Sequence, residues 1–233
     1  MAHPRIENPT RESSVAALAT YVLALPRPIE RVDALVALLG EGEAERLTYP
    51  ISWWERVDRD GNRAVRARYL LVAPHNRRER TSERLDIARL RQPPYNLTRT
   101  DGVIWDDHAE HTAEQAQWFA RMARAYGIKS AALFAPPYHI VRAYLTFVLR
   151  LQLTWTQVQL IPAPIPVPPM RISPESSATG WALIPGETKR IIQYQHKGDV
   201  ATLAKLTEYL GWLWAQPLMR DEDALLGVSP RFR

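Results

Sequence analysis

The sequence predicts an α/β fold with an open, mostly parallel sheet of about five strands and added N- and C-terminal helices. Short apolar runs bounded by turn residues recur five times along the 233 residues. Runs that are apolar on both faces suit parallel strands buried on both sides. Segments with helical spacing lie between them, and this alternation favours a parallel sheet with crossover connections.

The predicted elements follow in order along one domain. Strands are expected at 32–40, 68–74, 101–107, 130–136 and 158–164, and helices at 10–25, 81–90, 112–126, 138–151, 186–196 and 199–214. Thr112 and Gln115 have the spacing of a capping box, and Asp199 is expected to cap the last helix. We assign 1–28 to a helical extension, 29–215 to a single α/β domain and 216–233 to a loosely held tail.

Composition excludes several classes of site. The chain has no cysteine, which excludes disulfides, thiolate metal sites and cysteine nucleophiles, and indicates a reducing compartment. The apolar stretch 15–25 is far shorter than the ~20 residues that span a bilayer, and no signal-peptide pattern surrounds it. We therefore expect a cytoplasmic protein without a membrane span. Neither a Gly-x-Ser-x-Gly elbow nor a P-loop is present.

Positive charge is concentrated in one segment. The formal net charge is +5, yet 63–99 contains ten arginines against Glu79, Glu83 and Asp86. A solvated helix face is one interpretation, and a surface that meets phosphates or anionic lipid is the other. No aromatic residue follows Tyr69 before Tyr95, which argues against a platform for single-stranded nucleic acid.

Polar residues follow four of the predicted strands. Ligands of open α/β sheets bind outside the carboxyl ends of the strands, so these residues should share one rim. They are Gly40, Glu41 and Gly42 after the first strand; His75, Asn76 and Arg77 after the second; Asp106, Asp107, His108 and His111 after the third; and Tyr138, His139 and Arg142 after the fourth.

The glycines after the first strand favour a tight turn. Gly40 and Gly42 resemble the start of a dinucleotide fingerprint, but Glu45 stands where its third glycine belongs. Glutamates at this place would repel a pyrophosphate. Glu41 is instead available as a base or as a partner to an amine or hydroxyl.

A metal site is one interpretation of the segment after the third strand. Asp106, His108 and His111 offer carboxylate and imidazole ligands suited to Zn, Mn or Mg. The other interpretation is structural, with carboxylates capping the positive end of a helix.

His139 and Arg142 are three residues apart, so they share one face of a helix. Arg142 and the amides of a helix start favour an anion, and His139 could transfer a proton. The alternative is a His139 bonded to a loop carbonyl and an Arg142 paired with Glu187 or Asp107.

Three motifs together resemble the YdcF/SanA/ElyC-like family, a domain of unknown function. They are the Asp at the second position of 32–40; Thr112, Glu114, Gln115 and Ala116 at a helix start; and His139, Arg142 and Ala143 at a strand-to-helix turn. The resemblance covers about residues 30–195, and Glu187 also fits it. It implies a three-layer Rossmann-like fold with a pocket at the strand ends, a nucleotide-like or S-adenosylmethionine-like ligand, and a bacterial origin.

The chain departs from the family pattern in several places. Pro74 to Arg77 replace a Ser-Gly-Gly turn, and His111 and Gln115 stand where asparagines are expected. A membrane anchor, which envelope members of the family carry, is not expected here. These differences bear on the identity of the ligand.

We expect an enzyme that carries out hydrolysis or group transfer on a small anionic, phosphate- or nucleotide-containing molecule. Arg142 and Arg77 would bind the anion, His139 would act as general acid and base, and Glu41 or Asp107 would orient a water or a divalent metal. Gly40, Gly42, His75, Asn76, Thr112, Glu114 and Tyr138 would line the same pocket. The alternatives are a non-catalytic module that senses such a metabolite, and an interaction protein whose arginines meet a polyanion.

Overall fold

A five-stranded, all-parallel sheet forms the centre of the computed structural model, which describes residues 11–39, 44–73, 85–106, 108–174 and 176–220. The strands are β1 (Ala34–Leu38), β2 (Tyr69–Ala73), β3 (Val103–Trp105), β4 (Ser130–Ala135) and β5 (Gln159–Pro164). Their order is β3-β2-β1-β4-β5. The predicted open parallel sheet with flanking helices, a three-layer Rossmann-like arrangement, is thus confirmed.

The central strands are apolar because both of their faces are covered. Every residue of β1 and β4 is buried, as expected for parallel strands between two layers. Asp33 joins the amino ends of these two strands, since its carboxylate accepts from the amides of Lys129 and Ser130 at 2.9 and 3.0 Å. The aspartate of the first motif therefore has a structural role.

The described helices cover the sheet and extend beyond it. They are α1 (Arg11–Leu23), α2 (Glu45–Trp54), α3 (Ile87–Leu90), α4 (Thr112–Ala125), α5 (Ile140–Leu153), α6 (Gly180–Lys197), α7 (Leu203–Trp214) and α8 (Pro217–Arg220), with a 3-10 turn at Ile29–Arg31. Helix α2 packs on β1 and β4, and α5 packs on β4 and β5. In the described residues no helix is long and apolar enough to cross a membrane.

The terminal helices belong to the same core. Val15, Leu18 and Val22 of α1 are buried, and α1 contacts α5, α6 and α7. At the other end, Met219 of α8 is buried, and the amide of Leu218 donates to Gln159 of β5 at 3.3 Å. Hydrophobic burial thus fixes 217–220 against the sheet.

Two predicted helix caps were wrong, and the start of a third helix was misplaced. Helix α4 is capped by His111 and not by Thr112, because His111 Nδ1 accepts from the Glu114 amide at 3.3 Å. Helix α7 is capped by Thr202, since Asp199 instead accepts from Arg150 at 2.9 Å. Helix α6 begins at Gly180, six residues before the predicted start.

Strand β5 ends the sheet, and its outer edge is covered by two tyrosines. The Gln159 amide donates to Lys129 O, directly before β4, and the Ile165 amide donates to Ala135 O of β4. The backbone groups of the alternate residues Leu160, Pro162 and Pro164 therefore face outward. Tyr209 of α7 accepts from the Leu160 amide at 2.8 Å and donates to Val158 O at 2.7 Å. Tyr144 donates to Leu160 O at 3.0 Å. Proline has no amide hydrogen and is tolerated at such an edge.

Candidate functional site

The strand order reverses between β1 and β4, and polar side chains from both sides meet at their carboxyl ends. Arg46 lies on the first turn of α2, which follows β1, and Tyr138 lies in the turn between β4 and α5. Arg46 Nη2 donates to the Tyr138 hydroxyl at 3.3 Å. Arg46 is only 5% exposed. A buried arginine thus spans the crevice where open α/β sheets bind their ligands.

His139 lies next to Tyr138 at the start of α5. The turn is closed by Pro136 O, which accepts from the amides of both His139 and Ile140 at 2.9 Å. The side chain of His139 makes no capping bond and is 7% exposed. The first amides of this turn are therefore satisfied within the chain, and the imidazole remains available for another partner.

Arg142 connects His139 to Glu187 of α6. Arg142 Nη2 lies 2.9 Å from His139 Nδ1, and its Nε donates to Glu187 Oε2 at 2.5 Å. Glu187 also receives a bond from Arg190 Nη1 at 2.5 Å. The pairing of Arg142 with Glu187 agrees with the structural alternative for this arginine. It holds the guanidinium in one place beside the histidine.

This contact determines the tautomer of His139. A guanidinium has only donors, so Nδ1 must accept the hydrogen bond, and the proton of the neutral ring is carried by Nε2. Glu187 Oε2 is 3.8 Å from Nδ1, too far for a hydrogen bond. His139 can therefore offer an N–H group through Nε2.

Burial keeps His139 neutral. Loss of hydration, followed by the positive charges of Arg142 and Arg46, lowers the pKa of His139 to about 4, although Glu187 acts in the opposite direction. Burial by itself would raise the pKa of Glu187, but the hydrogen bonds and positive charge of Arg142 hold it well below its ordinary value. At neutral pH the site thus combines a neutral imidazole, a carboxylate and guanidinium groups.

A small pocket opens beside Tyr138. Its wall includes Arg46, Pro136 and Tyr138 on one side and Val167, Arg171 and Ile172 of the β5–α6 segment on the other. Arg171 forms an ion pair with Glu45 across this opening. Among the described residues, Arg46, Arg142, Arg171 and Arg190 outnumber the two carboxylates of Glu45 and Glu187. The surplus of positive charge favours an anionic ligand.

The segment before α4 forms a capping network. Asp106 accepts from the amides of His108 and Ala109 at 3.2 and 3.1 Å, and Glu114 Oε2 accepts from the Glu110 amide at 2.6 Å. With the His111 cap, this agrees with the structural interpretation of the segment. Over the described part of the chain, no three His, Asp or Glu side chains converge as metal ligands.

Several predicted site residues lie outside the described residues. They are Gly40, Glu41, Gly42, His75, Asn76, Arg77 and Asp107. Tyr138, His139 and Arg142 lie together at the crevice, while Asp106, His108, His111, Thr112 and Glu114 belong to the start of α4 and the turn before it.

Sequence reasoning missed Arg46 and Arg171. Arg46 would have been found if the helix after β1 had been recognised, because the first turn after that strand faces the ligand crevice. Arg171 follows a proline-dense stretch whose path the sequence does not specify.

The sequence was compared with protein-family models and with curated proteins. No protein-family model matches the chain, and no curated protein matches it either.

Proposed function

We propose that the chain is a YdcF-like protein that binds a small anionic, phosphate- or nucleotide-containing molecule between β1 and β4 and acts on it by hydrolysis or group transfer. One observation carries the proposal. Buried Arg46, on the helix after β1, bonds to Tyr138, which directly precedes buried His139 at the point where the strand order reverses. Burying a guanidinium is costly, so its retention at a ligand crevice favours a role toward an anion.

Each side chain has a distinct part in this proposal. Arg46 supplies positive charge from the α2 side, and His139 donates through Nε2–H to a phosphoryl oxygen or to a leaving oxygen. Arg142 is a positioning residue, because it holds Nδ1 as an acceptor and so places the proton on Nε2. Glu187 fixes Arg142 in turn. Glu41 and Asp107 keep their proposed part in orienting a water or a divalent metal.

Calorimetric titration of the full chain tests the binding step. The probes are inorganic phosphate, pyrophosphate, ADP and S-adenosylmethionine, and we expect at least one of the phosphates to bind. Arg46→Gln should weaken that binding about tenfold or more, since a charge-assisted bond contributes roughly 1.5–3 kcal/mol. Arg56→Gln is the matched control and should bind normally, because Arg56 lies past the last residue of α2, at the opposite end of that helix from Arg46. Equal affinity of Arg46→Gln and the unaltered chain would overturn the assignment of Arg46.

Product analysis tests the chemical step. The bound phosphate compound is incubated with the chain, and its conversion is followed by phosphorus NMR. His139→Ala should lose turnover while keeping most of the binding, since Arg46 remains. Normal turnover by His139→Ala would remove His139 from the mechanism.

A second function is favoured by the protonation state of His139. A general base works best when its pKa is near the working pH, whereas the pKa of His139 is about 4. A neutral imidazole with a fixed N–H donor suits recognition as well as catalysis. A non-catalytic module that senses a nucleotide-like or S-adenosylmethionine-like metabolite would show ligand-dependent thermal stabilisation. For a phosphate-containing ligand, phosphorus NMR would then show the ligand unchanged.

A further inference from the structure

Trp155 has an unusual conformation at the end of α5. Its φ is 54°, in the left-handed region, and its surface is 91% exposed. Glycine normally occupies this place after a helix, because a side chain there is strained. A bulky aromatic residue in this region is a true outlier.

The surrounding hydrogen bonds enforce the conformation. The amide of Thr156 donates to Leu151 O at 2.9 Å, and that of Trp155 donates to Gln152 O at 3.1 Å. These two bonds are those of a Schellman motif. Arg124 of α4 also donates to Thr154 O. The backbone is therefore held by its neighbours, and the indole ring projects away from it.

The indole contributes little to the stability of the isolated chain. A side chain that stays in water gains nothing from the hydrophobic effect, and the left-handed backbone adds strain. By contrast, Trp54 and Trp118 are buried in the core. Residues held at a cost in stability are a sign of function when the surrounding structure fixes them.

Other exposed groups lie at the same end of the sheet as Trp155. Leu153 and Tyr126 are 53% and 48% exposed, and the Tyr126 ring lies 5.2 Å from Tyr69 at the start of β2. Lys129 and Arg68 directly precede β4 and β2, and both are exposed. Because parallel strands begin at the same edge, these groups lie at the end of the sheet opposite the candidate site. We call Arg68, Arg124, Tyr126, Lys129, Leu153 and Trp155 the amino-terminal rim.

We propose that the amino-terminal rim docks on an anionic lipid surface, with Trp155 entering the headgroup region. An indole is amphipathic and prefers the interface between water and lipid. The arginines and the lysine supply attraction to anionic headgroups. Trp155 directly follows the C-cap of α5 and is almost fully exposed, which suits insertion into a soft interface. Two carboxylates precede strands at this edge: Asp33 is bonded to the amides of Lys129 and Ser130, and the charge of Asp101, before β3, acts on Arg99.

Vesicle sedimentation with the full chain tests this proposal. The vesicles contain phosphatidylcholine alone or phosphatidylcholine mixed with phosphatidylglycerol. We expect binding to the mixed vesicles that weakens as salt is added, because the interaction is screened. Trp155→Gly should lose about tenfold or more of this binding, since the indole is the group that inserts. Lys129→Glu should reduce binding in the same direction.

Thermal unfolding separates docking from a structural role. Trp155→Gly should melt at a higher temperature than the unaltered chain, because glycine accepts a positive φ without strain. Trp181→Ala is the matched control: Trp181 is 67% exposed but lies at the other end of the strands, on α6. It should leave vesicle binding unchanged.

Four results would overturn the proposal. They are equal binding to both vesicle types, unchanged binding of Trp155→Gly, and a lower melting temperature of Trp155→Gly. The fourth is self-association that Trp155→Gly abolishes without any vesicle binding, which would assign the rim to a second copy of the chain.

Discussion

Arg142 donates to Nδ1 of His139 at 2.9 Å while the same guanidinium holds Glu187. This relationship makes the histidine a neutral ring with its proton on Nε2, and it links the start of α5 to α6. The electrostatic behaviour of the site follows from it.

Because of His139, the free energy of unfolding should depend on pH above the range in which carboxylates titrate. Its folded pKa of about 4 lies below the ordinary 6.5, so the unfolded chain binds a proton in this interval and the folded chain does not. The contribution of His139 to the free energy of unfolding is then fully present above pH 6.5. It is lost as the pH drops toward 4, by about 3 kcal/mol in all. Urea unfolding at several pH values measures this slope. His139→Gln keeps an acceptor for Arg142 and should flatten the slope; an NMR titration midpoint of His139 at 6 or above would contradict the prediction.

Glu187→Gln should destabilise the protein strongly. Glu187 is buried between Arg142 and Arg190, and removing one partner of a buried ion pair leaves the other charge uncompensated, at a cost of about 3 kcal/mol. Urea unfolding at pH 7 checks the value. Arg190→Gln is the control, since Arg190 is half exposed and should change stability by less than about 1 kcal/mol. Equal losses of unfolding free energy in the two variants would show that the Arg142–Glu187 pair adds nothing to stability beyond the Arg190–Glu187 pair.

His111→Ala should shorten or loosen α4. His111 accepts from the Glu114 amide at the helix start, and loss of a capping side chain costs about 1 kcal/mol. His111→Asn should retain the cap, and Thr112→Ala should have little effect because Thr112 lies one residue inside the helix. Thermal unfolding of the three variants distinguishes them. If Thr112→Ala proved to be the damaging change, the capping register would be the one predicted from sequence.

Tyr209→Phe should expose the outer edge of β5. The hydroxyl both accepts from Leu160 N and donates to Val158 O, so its loss leaves two buried backbone groups unpaired, at a cost of about 2–3 kcal/mol. Hydrogen exchange should show faster exchange of the Leu160 amide. Tyr21→Phe, at a surface position, should leave both stability and exchange unchanged. Unaltered exchange of Leu160 in Tyr209→Phe would mean that water replaces the hydroxyl at no cost.

The sheet was predictable because burial on both faces leaves a strong signal. The five apolar runs could be placed to within one or two residues of the strands, and the alternation with helices gave their parallel direction. Helix α2 was missed because Pro50 stands inside it, and proline normally interrupts a helix. Its ring is buried against the core, so packing compensates for the lost hydrogen bond.

The position of the site was predictable, and the partner of Arg142 was narrowed to two candidates. The rule that parallel strands end at one edge located Tyr138 and His139, and it would have located Arg46 if α2 had been recognised. Glu187 and Asp107 were both candidate partners of Arg142, and the choice between them depends on how α6 returns across α5, a distance that sequence spacing does not give. The tautomer of His139 follows from the pairing, so it could not be predicted either.

The composition of β5 has a consequence for self-assembly. Pro162 and Pro164 have no amide to offer on the outer side, and the tyrosine hydroxyls already use the polar groups between Val158 and Leu160. A strand from another chain therefore cannot continue the backbone hydrogen bonding of the sheet at this edge. At the opposite edge of the sheet, strand β3 is three residues long and its side chains are only half-buried. Aggregation by strand addition would therefore have to begin beside Val103 and Trp105.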